Sequence, residues 1–126
     1  MSTPPDRKYS ESHEWHKLEG DVVTLGVTQF AVDELTDITF VEMKPAGTVL
    51  GAADPVGEVE SVKATSDIYT AVAGEIIEVN SKLEEDPSLL NTDPYNEGWL
   101  VKLKVTDTSG MDSLMDQPTY DGKYSA

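Results

Sequence analysis

Glu60-Ser61-Val62-Lys63-Ala64-Thr65-Ser66-Asp67 places one lysine between two runs that read as β-strands. Before it, Pro55-Val56-Gly57-Glu58-Val59-Glu60 is short and contains two valines. After it, Ile68-Tyr69-Thr70-Ala71-Val72 continues the extended pattern and leads through Ala73-Gly74 into Glu75-Ile76-Ile77-Glu78-Val79. Two such runs closed by a few polar and small residues predict a hairpin, with Gly74 marking the next turn. Lys63 then stands at the tip, facing solvent. An exposed lysine is a compact, flexible amine that a modifying enzyme can reach.

Working outward, the flanks predict more strands. Glu14–Leu18 and Asp21–Val27 form a hairpin around Glu19-Gly20-Asp21. Thr28 is placed to N-cap a short helix, Gln29–Leu35, with Phe30, Ala31 and Leu35 on one face. Ile38–Met43 is a further strand, and Thr48-Val49-Leu50 a short one before the loop Gly51–Asp54. Residues 80–98 are loop-rich, with a helical turn at Ser81–Glu85. Trp99–Val105 alternates apolar and basic residues, as a half-buried strand does. Residues 1–8 read as a loose lead-in, and 110–126 as a short helical C-terminal segment, with Met111, Leu114 and Met115 on one side of a helix at Met111–Met115. Gly57-Glu58-Val59-Glu60 is weakly echoed by Gly74-Glu75-Ile76-Ile77-Glu78. The whole, 1–126, is expected to be one domain.

Composition sets limits on the chemistry. At 126 residues, a single domain buries roughly two-thirds of its unfolded surface. Nine glycines and seven prolines favour a turn-rich, mainly β architecture. There are no cysteines, which excludes disulfides, thiolate metal sites and a cysteine nucleophile. Any dithiol chemistry must come from an added group. A net charge of −15 argues against phosphate-backbone binding, because no basic surface exists to release counterions. The N-terminal residues show no apolar or Arg/Ser-rich targeting segment, and no run is long enough to cross a membrane. A bacterial cytoplasmic protein is the simplest expectation, although a mature organellar protein would look alike.

The lysine segment resembles the lipoyl-attachment hairpin of the glycine cleavage system H protein family, whose pattern is Glu-Ser-Val-Lys followed by Ser-Asp. The resemblance runs from about Tyr9 to Tyr120. It includes Ser12-His13-Glu14-Trp15, Gly26-Val27-Thr28 with Phe30-Ala31, Phe40-Val41-Glu42, and Asn91-x-Asp93-Pro94-Tyr95 with Gly98-Trp99. Biotin carriers fit less well, since they place methionines where this chain has Val62 and Ala64. Lipoyl domains of 2-oxoacid dehydrogenases lack the Asp-Pro-Tyr…Gly-Trp segment. The chain departs from the family at Gln29, usually an acid, at Val32, usually Gln, and at Thr36, usually Gly. Ala52-Ala53 also replaces a glycine-containing turn.

The resemblance implies a flattened β-sandwich, or barrel-sandwich hybrid, with a few short helices. It implies lipoate joined to Lys63 by an amide, with Glu60, Ser61, Val62, Ala64 and Asp67 presenting the lysine. It further implies a carrier that moves the aminomethyl group of glycine from a pyridoxal-phosphate decarboxylase to a tetrahydrofolate-dependent aminomethyltransferase. An FAD-dependent dihydrolipoamide dehydrogenase then reoxidises the arm, and lipoyl-transferring enzymes install it. The loaded arm carries an ammonium that a carboxylate in a dry groove would hold. Ser12 and Glu14 are the expected cleft, with Asp67 next.

Other readings stay open from the residues alone. A lipoyl donor or relay protein, an unmodified interaction module, and an enzyme using Glu14 and Asp67 as an acid–base pair all fit parts of the pattern. His13 and His16 share a His-x-x-His spacing, but in a strand they face opposite ways and no further ligands cluster near them. Glu84-Glu85-Asp86 lacks the spaced ligands of a calcium loop. Trp15 and Trp99 read as core or core-edge aromatics, and Tyr95 as loop packing. No Gly-x-Ser-x-Gly elbow or phosphate-cradling loop occurs. One acceptor site predicts a monomer.

Overall fold

A computed structural model describes residues 4–124 as two sheets with short helices between and after them. Strands β1 (Lys8–Tyr9), β2 (Glu14–Glu19) and β3 (Val22–Val27) form an antiparallel ribbon. β2 and β3 meet at the two-residue turn Gly20-Asp21, where Gly20 takes a φ of 64° that a hairpin turn of this length favours. This ribbon continues into β9 (Val101–Val105), β8 (Gly74–Val79) and β5 (Val49–Leu50), giving a six-stranded sheet in the order β1-β2-β3-β9-β8-β5. Opposite it lies a three-stranded sheet, β4 (Ile38–Met43), β6 (Pro55–Ser61) and β7 (Thr65–Tyr69), in the order β4-β6-β7. The architecture is therefore the mainly β sandwich that the sequence led us to expect.

Alternation decides which side chains fill the space between the sheets. In β9, Val101, Leu103 and Val105 are buried while Lys102 and Lys104 turn outward. In β6 and β7, Val56, Val59 and Ile68 point inward and join Val23, Leu25 and Ile76 of the larger sheet in one core. Strand pleating makes the period-2 pattern of β9, whereas in β6 a register shift between Pro55 and Gly57 lets Val56 and Val59, three apart, both face inward. The weak sequence echo falls on β6 and β8, one strand in each sheet.

A second, aromatic cluster forms on the larger sheet apart from the main core. Tyr9, Trp15 and Tyr120 are buried there, with Tyr95, Trp99, Met115 and Tyr124 packed around them. It explains why sequence motifs lying far apart belong together. Trp15 lies close over Gly26, where an added Cβ would sit 2.3 Å from the indole ring. Its Nε1 donates to the carbonyl of Pro94 at 3.0 Å, and Arg7 stacks over the indole at 4.4 Å while donating to the Tyr95 carbonyl.

Several local expectations change. The loose lead-in of residues 1–8 ends early, because Arg7 is buried against Trp15 and Lys8 already pairs with His16; residues 1–3 lie outside the described residues. Helix α1 (Gln29–Leu35) is capped by Thr28 as expected, its hydroxyl accepting from the Ala31 amide. Its anchor, however, is Val32, while Phe30 turns away to His13 and Tyr124. Ala31 and Leu35 face the main core, and Ala31 stands about 100° around the helix from Phe30. The run Ile68–Val72 stops being a strand at Tyr69, and the run from Trp99 becomes one only at Val101. Residues 80–98 hold two single turns, α2 (Lys82–Glu85) and α3 (Leu89–Thr92), where one was expected.

The tail differs most. Met111 lies in a 3-10 turn, Ser109–Ser113, and packs on the main core, whereas Met115 bridges to Tyr9 and joins the aromatic cluster. The expected single apolar side is therefore split, and a separate helix, α4 (Gln117–Tyr124), follows. Residues 125 and 126 of the expected helical segment lie outside the described residues.

Candidate functional site: the lysine hairpin and its cleft

β6 and β7 join through Val62-Lys63-Ala64, so Lys63 stands at the tip with an exposed side chain. Ser61 builds the turn. Its backbone amide donates to the Ala64 carbonyl at 2.8 Å, and its Oγ accepts from the amides of Lys63 (3.1 Å) and Ala64 (3.0 Å). A serine hydroxyl satisfying two turn amides fixes the loop without a glycine. The Val62 amide donates to the Asp37 carbonyl at 3.1 Å, and Lys63 Nζ to the Glu34 carbonyl at 3.2 Å. The tip therefore leans on the C-terminal end of α1, and its amine faces a backbone carbonyl rather than a carboxylate. Val62 is 69% exposed beside it. A rigid turn carrying a reachable primary amine suits amide formation.

From the tip, β7 runs along the edge of its sheet. Thr65, Asp67 and Tyr69 face outward, with Ile68 buried between them. Tyr69 lies six residues from Lys63, about 20 Å of extended strand. Beyond it, two inward-facing side chains of β2 take over the strand's unpaired amides. Glu14 Oε2 accepts from the Tyr69 amide at 3.2 Å, and His16 Nε2 accepts from the Ala71 amide at 3.0 Å. Their spacing of two matches the pleat, which also sends Trp15 to the opposite face.

Glu14 is 1% exposed and lies at the base of a groove of about 310 Å³ that Ser10, Ser12, Tyr69, Thr70 and Met115 also line. Ser10 Oγ donates to Glu14 Oε1 at 2.6 Å, and Ser12 Oγ donates to the same oxygen. Burial raises the Glu14 pKa, while these hydroxyls and the Tyr69 amide oppose the rise. This arrangement offers a buried carboxyl group and two rotatable hydroxyls. Such hydroxyls can donate to Glu14 or accept from an incoming cation.

Ser12 and Glu14 are thus brought together as expected, with Ser10 as an unexpected third member. Asp67 is not part of that groove. It faces a larger hollow of about 460 Å³ with Glu42, Lys44, Pro55 and Glu58, and touches the first groove only through Tyr69, whose hydroxyl is 3.5 Å from Asp67 Oδ2. Glu14 and Asp67 consequently form no acid–base pair. Glu60 sits opposite Thr65, one step behind the tip. The contributions of Tyr69 and Asp37 come from their backbone atoms, which no side-chain motif signals.

The two histidines have separate surroundings. His13 shares a 2.8 Å hydrogen bond with the Tyr120 hydroxyl and packs on Phe30, while His16 is fully buried against the 69–71 segment. Among the described residues no group of three ligating side chains could hold a metal ion. No helix among them is long and apolar enough to cross a membrane.

Comparison with known proteins follows the same lines. The model of the glycine cleavage H-protein family matches residues 7–125. A glycine cleavage system H protein of Chlorobium phaeovibrioides is 49% identical over 122 residues, covering 95% of each chain. One from Thermus thermophilus is 48% identical over 120 residues, covering 95% of this chain and 94% of its own. The crystal structure of a glycine cleavage system H protein from Mycobacterium marinum superposes with a TM-score of 0.88 at 36% identity, over 96% of this chain and 98% of that one. Lysine hairpin, aromatic cluster and sandwich all fall inside the matched region, and the chain belongs to the glycine cleavage H-protein family, as a carrier subunit of the glycine cleavage system and not a catalyst of it.

Proposed function

We propose that Lys63 carries lipoate as an amide, and that the arm swings between the tip of the hairpin and the groove over Glu14. The observation that carries this reading is the tip itself, a fixed turn holding one exposed primary amine. The dithiolane supplies the sulfurs that a chain without cysteine lacks, and takes up the aminomethyl group of glycine. Everything else falls to the protein's own residues. Ser61 and Asp37 fix the turn, and Thr65, Asp67 and Tyr69 form the outward row of β7 that a bound arm would meet. Glu14 holds the ammonium of the cargo, with Ser10 and Ser12 completing its shell. The low exposure of Glu14 strengthens that contact and keeps water away.

The partners in this reading are a pyridoxal-phosphate glycine decarboxylase, a tetrahydrofolate-dependent aminomethyltransferase and an FAD-dependent dihydrolipoamide dehydrogenase. Lipoyl-transferring enzymes precede them, and the setting is the cytoplasm of a bacterium. Tethering keeps the cargo at high effective concentration near each partner. Reconstitution with the three enzymes tests it. The lipoylated chain should support glycine-dependent NADH formation, and Lys63→Arg should support none. A lipoylated chain that fails with competent partners would contradict the carrier role. Glu14→Gln should keep the fold and shorten the lifetime of the loaded carrier, and an unchanged lifetime would remove Glu14 from the cleft.

A further inference from the structure

We propose that Asn91 is a positioning residue for the lysine tip, acting by locking a strained joint at the end of α1. This inference rests on Lys63 being the attachment residue. Both acceptors that hold the tip lie around the end of α1: the Glu34 carbonyl belongs to its last turn, and the Asp37 carbonyl to the segment leaving it. That segment turns at Thr36, whose φ of 66° and ψ of −135° lie in a region that glycine enters freely and a β-branched residue resists. Left alone, Thr36 would relax toward negative φ. Rotation there would swing the following peptide and carry the Asp37 carbonyl away from Val62.

Asn91 opposes that rotation from both sides. Its Nδ2 donates to the Thr36 carbonyl at 2.7 Å, and its Oδ1 accepts from the Ile38 amide at 3.0 Å. The two bonds straddle Asp37. Its neighbour Leu90 is fully buried, so the backbone bearing the amide is tied to the core. The path runs from core to Leu90, to Asn91, to the 36–38 segment, and from the Asp37 carbonyl to the Val62 amide beside Lys63. Making both bonds takes a side chain with a donor and an acceptor on one plane. Aspartate can make one of them, and alanine neither.

The test uses the full chain with lipoyl ligase, lipoate and ATP, following transfer to Lys63 by mass. Asn91→Ala should lower kcat/KM for transfer by about tenfold, below the roughly hundredfold that a 1 Å misplacement of a reacting group can cost. Exchange of the Val62 amide should rise in the same variant. Val23→Ala, a cavity variant in the larger sheet, controls for lost stability and should leave transfer near wild type. In a Thr36→Gly background, where no strain drives relaxation, removing Asn91 should cost less. Wild-type kcat/KM together with unchanged Val62 exchange in Asn91→Ala would overturn the proposal. An equal loss in both backgrounds would overturn the strained joint. If the wild-type chain itself takes no lipoate on Lys63, the attachment reading fails, and Val62 exchange alone decides whether Asn91 holds the tip.

Discussion

At Thr36 and Ala53 the chain carries ordinary side chains at φ of 66° and 72°, and both positions lie in connections leading into the lysine sheet. A residue kept in such a region stores about 1–3 kcal/mol, part of which glycine would return in extra unfolded-state entropy. Thr36→Gly should therefore raise stability by about 1 kcal/mol, seen as a higher urea midpoint at unchanged slope; a lower midpoint would show that Thr36 is not strained. His16 makes a second residue-scale prediction. It is buried and neutral, accepting at Nε2, and burial lowers its pKa from 6.5 to about 4. The unfolded chain binds this proton first as pH falls, so the stability His16 gives is complete above pH 6.5 and lost on the way down to about 4. The loss is about 3 kcal/mol at most. Glu14 works in the opposite sense, because its raised pKa makes the folded state take up a proton more readily. Denaturation across this pH window should show a slope that His16→Gln flattens, and an unchanged slope would assign acid sensitivity to other groups.

At the scale of elements, the outer face of the three-stranded sheet sets acid against acid. Glu42 pairs with Glu58 and Glu58 with Asp67 across β4, β6 and β7, while Phe40 and Glu60 form another pair along the same strands. Like charges in cross-strand register repel by a few tenths to about 1 kcal/mol. Glu58→Gln, at the centre, should stabilise the chain by about 0.5 kcal/mol in low salt, with the gain fading as salt screens the row. A stabilisation that persists in high salt would point to packing instead. These strands were legible beforehand because each is a short run holding Val or Ile and bounded by turn residues. The tail was not, because Met111 and Met115 look equivalent in sequence yet pack on different clusters. Lys8–Tyr9 was equally hidden, since two residues carry no period. Of the site, Lys63 and its turn could be read from the residues, and Ser12 with Glu14 from family resemblance. The bonds made by Asn91 and the Tyr69 amide could not, because the motif that holds Asn91 does not say which backbone groups its side chain meets, and the other is backbone.

For the whole molecule, α4 closes the aromatic cluster and ties the C-terminal region to the start of α1. Tyr120 stacks on Tyr9 at 4.9 Å, and its hydroxyl meets both Thr28 Oγ1 and His13 Nδ1 at 2.8 Å. Burial raises its pKa to about 12, so it stays protonated in the working range. Tyr120→Ala should cost about 3 kcal/mol of global stability and Tyr120→Phe about 1, read from the same urea titrations. Equal costs would mean that the hydroxyl network carries the cluster. With a net charge of −15, the molecule as a whole suits recognition by basic surfaces, while the proposed chemistry rests on one amine. The decisive measurement is therefore an intact mass with peptide mapping of the chain after exposure to active lipoyl ligase, lipoate and ATP. One lipoyl amide, located on Lys63 and absent from Lys63→Arg, is the predicted result. A chain that stays unmodified, or takes lipoate on another lysine, would contradict the account.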